Sequence, residues 1–249
     1  MESNYSKKIV LVSDFGRSGQ GWLSYMLCYI LNAQFVEPYD FLKGHRYSVS
    51  SHVFSLTQGD LPEREKTNYS LVVKTHEYPS SRLDLTEKII FLIRDPRDVA
   101  VSMHNLHLIH QKSLGWNHPR AKFFLTFYKY FALFGYLRTI WRWSKHYRAW
   151  KSVPSFLVRY EDLLNNEKQT LENILAYLSV TPDEKIIDQA ISHFSFEEIT
   201  GRKRGQEDSN SPEFRKGIAG DHRNKFSKLE LKIINFIFKK IIKRTGYVL

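Results

Sequence analysis

Apolar residues in this chain fall into short continuous runs separated by stretches with helical spacing. Ile9–Val12 is a run of four apolar residues, three of them β-branched, that reads as a buried strand. Leu71–Lys74, Lys88–Arg94 and Pro154–Tyr160 repeat that pattern. After the first run, Trp22, Met26 and Ile30 recur every four residues with Leu23 and Leu27 beside them, which predicts a helix. Pro96, with acids on either side, opens a second helix after the third run. A long aromatic helix over Ala121–Trp150, two more over 167–179 and 183–193, and a basic one over Leu229–Arg244 complete the set. Residues 34–68 carry the breakers Pro38, Gly44, Gly59 and Pro62 and show no regular period, and 200–225 reads as a polar loop. Strands alternating with helices predict an α/β fold: a P-loop-like central parallel β-sheet with helices on both faces, in a single domain over 1–249.

Between the first strand and its helix lies Ser13–Gly21, with three glycines and one arginine. Backbone N–H groups at such a helix start point at an anion, and the helix dipole favours negative charge there. Gly16 and Gly21 have the GxxxxG spacing of a nucleotide-binding loop. However, Trp22 and Leu23 stand where that pattern needs Lys and Ser/Thr for the phosphates and Mg²⁺. A kinase-like phosphotransferase therefore remains as an alternative that this segment disfavours, and a ligand-free glycine turn remains open.

Composition narrows the partners. The net charge of +11 points to anionic ligands. The basic residues are interleaved with acids rather than gathered in a tract, which argues against the other alternative, a nucleic-acid-binding protein. Cys28 is the single cysteine and sits in an apolar helix, so no internal disulfide or cysteine metal site is expected. The polar start, MESNYSKK, leads straight into the first strand and suggests a cytoplasmic protein. Lys129 interrupts the apolar stretch Phe123–Leu137, which is too short for a membrane span of about 20 residues. The basic helix Leu229–Arg244 is expected to pack on the sheet in preference to lying on a membrane surface.

Four clusters carry candidate chemistry. Lys74-Thr75-His76 leaves the second predicted strand at its carboxyl end, the edge where ligands bind in open α/β sheets. An imidazole at His76 titrates near neutrality and can take a proton from a hydroxyl, while Lys74, on the same side, can stabilise charge on a transferring group. Arg94 and Ser102 flank the turn after the third strand and suit a second phosphate; pairing of Arg94 with Asp95 or Asp98 is equally open. Arg215-Lys216-Gly217 adds two cations in a glycine-bearing loop, and Tyr160 can reach a ring or pack.

Taken in order, these segments resemble the cytosolic-type sulfotransferases that use 3′-phosphoadenosine 5′-phosphosulfate (PAPS). Phe15–Trp22, FGRSGQGW, resembles the family's YPKSGTTW loop. Lys74-Thr75-His76 matches KTH, Arg94–Ser102 resembles RNPKDVAVS, and Tyr160-Glu161-Asp162 matches YED. Ser195-Phe196 resembles the later TSF, and Arg215–Asp221 reads RKGIAGD against RKGxxGD. The resemblance implies that Arg17, Ser18, Gly19, Gln20 and Gly21 bind the 5′-phosphosulfate. It assigns Arg94, Ser102, Arg215, Lys216 and Gly217 to the 3′-phosphate, and Trp22, Tyr160, Ser195 and Phe196 to the adenine. His76 becomes the general base, Lys74 and Arg17 the charge stabilisers, and in-line transfer needs no metal. The product would be 3′-phosphoadenosine 5′-phosphate (PAP).

The chain departs from the family pattern in several places. Arg17 stands for the usual lysine, His222 for a tryptophan and Phe194 for a threonine. The family's dimer motif would fall near Arg223–Lys232, where its residues are missing, so the resemblance leaves the oligomeric state open. A small-molecule acceptor is expected, and the aromatics Tyr39, Phe41, Tyr47, Phe54, Trp116 and Tyr128 suggest a ring or apolar skeleton, with a glycan or lipid acceptor left open. Tyr78 and His104 are further candidates near the base, with packing or solvent exposure the preferred reading of each.

Overall fold

Five parallel strands form one sheet in the order β2-β3-β1-β4-β5. They are β1 (Lys8–Ser13), β2 (Gln34–Val36), β3 (Tyr69–Thr75), β4 (Lys88–Ile93) and β5 (Phe156–Arg159). The computed structural model describes residues 8–36, 69–79, 83, 86–114, 118–211 and 214–249, with side chains for all of these except 120, 121 and 123–131. β1 is central, and Val10, Leu11 and Val12 are fully buried, so this strand reads as an unbroken apolar run. From β1 the chain runs to β2 and β3 on one side of it and then to β4 on the other. The sheet therefore reverses its order at the carboxyl end of β1, the kind of switch point at which α/β sheets open a ligand crevice.

The expected α/β class and parallel sheet are both present, with local corrections. Gln34–Val36, inside a segment read as irregular, forms the edge strand β2; three residues are too few to display a period of two. β5 is shorter than Pro154–Tyr160. Tyr160 does not close it but is the first residue of a helix, and Glu161 and Asp162 in that first turn complement the helix dipole.

The chain falls into two compact units, Met1–Ile93 with Ala149–Ile199, and Arg94–Arg148 with Thr200–Leu249. The first holds the sheet and α1 (Gln20–Leu31), and most helices that follow β5. The second holds α2 (Pro96–Ser113) and most of α3 (Pro119–Lys151). After β5 come α4 (Tyr160–Asn165), α5 (Glu167–Tyr177), α6 (Glu184–His193) and α7 (Phe196–Thr200). The second unit ends with a single turn, α8 (His222–Lys225), inside the segment read as a loop, and with α9 (Lys228–Arg244). Its core joins Ala100 and Val101 of α2, Ala132, Tyr136 and Ile140 of α3, Phe226, and Ile234 of α9. Asp95 caps α2 by accepting from the Arg97 amide at 2.9 Å, with Pro96 in the first turn. Among the described residues no helix is long and apolar enough to cross a membrane.

Candidate active site

In the first unit, the loop after β1 is shaped by left-handed backbone. Gly16 and Gly19 have φ of 101° and 87°, and Arg17 takes φ of 66° between them. Gly19 is required for a second reason: a Cβ there would lie 2.6 Å from the Tyr160 ring. α1 starts directly after it with no side-chain cap and no acid in the first turn, so its leading amides have no capping side chain. The Ser18 hydroxyl is fully buried and has no hydrogen-bond partner among the described residues. Orphan donors at a helix start beside an unspent hydroxyl are what an oxyanion requires.

The Gln20 side chain is engaged within the protein. Its amide nitrogen donates to the carbonyls of Val12 and, at 3.1 Å, Thr75. It fastens the loop to the carboxyl ends of β1 and β3, leaving only its backbone N–H for an anion.

Ser13 lies opposite Thr75 in the β1–β3 pairing, which sets His76 just past the strand end beside the loop. Its Nδ1 is 2.5 Å from Oδ1 of Asp14, a carboxylate with no exposed surface. The second oxygen, Oδ2, accepts from the Ser18 amide at 3.1 Å, so one carboxylate ties the imidazole to the loop. Burial pulls the His76 pKa down, but the charge and hydrogen bond of Asp14 outweigh it, and the net shift is upward despite the opposing charge of Lys74. The imidazole side chain is nevertheless 44% exposed. Nδ1 faces Asp14, which leaves Nε2 as the nitrogen able to receive a proton. Trp150 donates its indole N–H to the Glu77 carbonyl at 2.9 Å and anchors the residue that follows. Asp14 was not singled out in the sequence, because an aspartate in a glycine turn reads as turn chemistry.

Trp22 and Tyr160 meet edge to face, their ring centroids 6.3 Å apart. The Trp22 indole donates to the Phe194 carbonyl at 2.9 Å, which brings Ser195 and Phe196 to the same neighbourhood. All four residues expected at the adenine therefore lie in one region of the first unit. Phe194 itself turns inward, 1% exposed, against Tyr25 and Tyr29.

In the second unit, Arg94 donates to the Ile218 carbonyl at 2.8 Å and so adjoins the Arg215–Gly217 loop. Arg215 and Lys216 are enclosed by carboxylates. Arg215 bonds Glu207 at 2.6 Å and also Asp221, and Lys216 lies 2.9 Å from Asp221 and 3.3 Å from Glu207. Burial works against charge on all four groups, yet mutual pairing wins. The two cations titrate above, and the two carboxylates below, their usual values. Ser102 is buried on α2. The pairing left open in the sequence resolves in an unexpected way. Asp95 binds Arg97 at 2.7 Å, while Asp98 is 3.9 Å from Arg94 and receives the amides of Gly220 and His222 and the His222 ring at 2.8 Å. Burial would raise the Asp98 pKa, but the His222 bond and the Arg94 charge hold it at about 2. His104 packs edge-on against Tyr136 at 5.0 Å. Tyr78 is exposed. Tyr39, Phe41, Tyr47, Phe54 and Trp116 lie outside the described residues, as does the side chain of Tyr128.

The family model of the sulfotransferase domain matches residues 7–246. The chain belongs to the sulfotransferase family. Its curated relatives include Sulfotransferase 1B1 of Canis lupus familiaris, 25% identical over 249 residues, covering 93% of this chain and 82% of the relative. Sulfotransferase 1E1 of Homo sapiens is 27% identical over 237 residues, covering 88% and 78%. Solved sulfotransferase structures share the fold. Mouse sulfotransferase SULT7A1 complexed with PAP superposes with a TM-score of 0.60 at 19% identity, covering 95% of this chain and 84% of that one. Retinol dehydratase in complex with androsterone and inactive cofactor PAP also gives 0.60, at 20% identity, covering 100% and 83%.

Proposed function

We propose that this sulfotransferase moves a sulfuryl group from PAPS to a hydroxyl or amine of a small-molecule acceptor, with His76 as the general base. The observation that carries the reading is the Asp14–His76 pair, set at the carboxyl end of β3 beside the glycine loop that follows β1. Bound PAPS supplies an electrophilic sulfuryl group on a phosphate leaving group. Ser18, with its unspent hydroxyl, and the leading amides of α1 at Gln20 and Gly21 would hold the phosphosulfate end. Trp22, Tyr160, Ser195 and Phe196 would line the adenine. In the second unit Arg94, Ser102, Arg215, Lys216 and Gly217 would take the 3′-phosphate.

His76 accepts the acceptor proton on Nε2 as the acceptor atom bonds to sulfur, and Asp14 stabilises the imidazolium through Nδ1. Lys74 and Arg17 meet the negative charge that develops on the leaving phosphate oxygen. Arg17 holds its proton at any physiological pH, so it stabilises that oxygen as a charge rather than as an acid. A cytoplasmic setting suits the single, unbonded Cys28.

Support for a small, partly apolar acceptor comes from retinol dehydratase, whose solved complexes hold androsterone and retinol. Calorimetry with PAP, followed by a screen of alcohols, phenols and amines with radiolabelled PAPS, tests the reading. PAP binding and label transfer to at least one class are expected. Absence of PAP binding, or Mg²⁺-dependent ATP turnover in its place, would overturn it.

A further inference from the structure

α9 is apolar on its inner face and also carries large apolar residues on its outer one. Ile234, Ile241 and Ile242 are buried, and Leu231 and Phe238 pack against the core of the second unit. On the outside, Leu229 is 67% and Phe236 84% exposed. The two are seven residues apart and fall on one line along the helix, at 100° per residue. Exposed Lys232, Lys239, Lys240, Lys243 and Arg244 lie within roughly 70° of that line. The single acid of the helix, Glu230, is spent in a capping box with Ser227. α3 repeats the device: Phe134 and Trp141, again seven apart, are exposed among Arg138, Arg142 and Lys145, with the Lys145 ammonium 3.8 Å from the Trp141 ring centroid. The surrounding unit holds 23 Lys and Arg against 7 Asp and Glu, so the positive charge of the whole chain resides there.

We infer that the outer face of α9, with Leu229 and Phe236 at its centre, docks on an anionic phospholipid surface. Three chemistries compete for a basic face, and the exposed apolar line separates them. A nucleic acid offers phosphates but no apolar layer to receive Phe236 and Leu229. A second copy of the chain would set six cations of one helix against six of the other. A bilayer interface supplies both parts, headgroup phosphates for lysines reaching outward and an acyl boundary for the rings between them. The contact is peripheral. It involves no residue assigned to sulfuryl transfer, so it stands or falls independently of that reading.

The test is co-sedimentation of the full chain with vesicles of phosphatidylcholine alone or mixed with phosphatidylserine. Capture by the mixed vesicles, and its loss at high salt, are expected. Replacing three cations together, Lys239→Gln, Lys240→Gln and Lys243→Gln, should weaken capture by about a hundredfold. Phe236→Ser should weaken it by roughly tenfold. Phe236 is exposed, so this variant should keep the helical circular dichroism of the parent. The proposal is overturned if the mixed vesicles capture nothing at low salt. It is equally overturned if Phe236→Ser splits a dimer but leaves capture intact, which would identify a second copy as the occupant. Capture by duplex RNA and vesicles alike, both insensitive to Phe236→Ser, would reveal a plain polyanion site and also overturn it.

Discussion

Each of the two units contains a buried aspartate held against a histidine, and the two pairs differ in their surroundings. Asp14 and His76 approach to 2.5 Å, and Asp98 and His222 to 2.8 Å, with neither carboxylate exposed. The partners differ: the His76 side chain is 44% exposed and that of His222 only 3%. Asp98 also accepts two backbone amides, from Gly220 and His222, and faces Arg94, so its charge is consumed in fastening the 220–222 turn to α2. Asp14 spends one oxygen on the Ser18 amide and the other on an imidazole that is partly exposed. Nearly the same aspartate–histidine contact is enclosed in one unit and leaves the ring partly accessible in the other, as the base proposed for sulfuryl transfer would require.

The largest expected effect separates the pairs outright. His76→Ala should lower sulfuryl transfer by about 10²–10⁴-fold while leaving PAP affinity and, at pH 8, the melting temperature unchanged. Equal loss of PAP binding and transfer would make His76 as architectural as His222. Asp98→Asn should cost roughly 2 kcal/mol of stability, because its new amide would face the donors of Gly220 and His222. The acid response has a definite sign. The Asp98 pKa is lowered from 3.8 to about 2, so its stabilisation is complete above the unfolded value and disappears as pH falls through the folded one. Urea melts of parent and Asp98→Asn should therefore converge between pH 4 and pH 2, and parallel curves would refute the assignment.

Smaller effects sharpen the contrast. Arg94→Ala should weaken PAP binding by about tenfold and adenosine 5′-phosphosulfate binding much less, as calorimetry would register. Equal losses would remove Arg94 from the 3′-phosphate. Asp14→Asn should move the acidic limb of the pH–rate profile to lower pH, since the raised His76 pKa depends on the carboxylate. Because that pKa is raised, protonated His76 adds stability below about pH 6.5 that is lost as pH climbs through the folded value. A ring-proton NMR titration of His76 reads the same shift without reference to turnover. An unmoved titration would leave Asp14 a loop brace only.

Much of this arrangement was legible in the sequence, for reasons that can be named. Past their leading lysines, β1 and β4 are buried and so announce themselves as continuous apolar runs, and the glycine turn follows from strand–helix punctuation. Motif order brought out Lys74, His76, Arg94 and Arg215. What stayed hidden depends on pairing across the chain. Asp98 and His222 are 124 positions apart, and Asp14 and His76 are 62 apart. β2 is visible only through its ladder with β3. The bonds of the Gln20 amide to the carbonyls of Val12 and Thr75 likewise depend on how β1 and β3 pair.

The Gln20 crosslink also has a thermodynamic consequence. Because one side chain clamps two strand ends at the root of the loop, a nucleotide bound there as proposed would meet amides that are already aligned. Little ordering entropy then remains to oppose association. Severing the clamp with Gln20→Ala should therefore show itself first as a less favourable entropy of nucleotide binding, with the enthalpy of the phosphate contacts largely preserved.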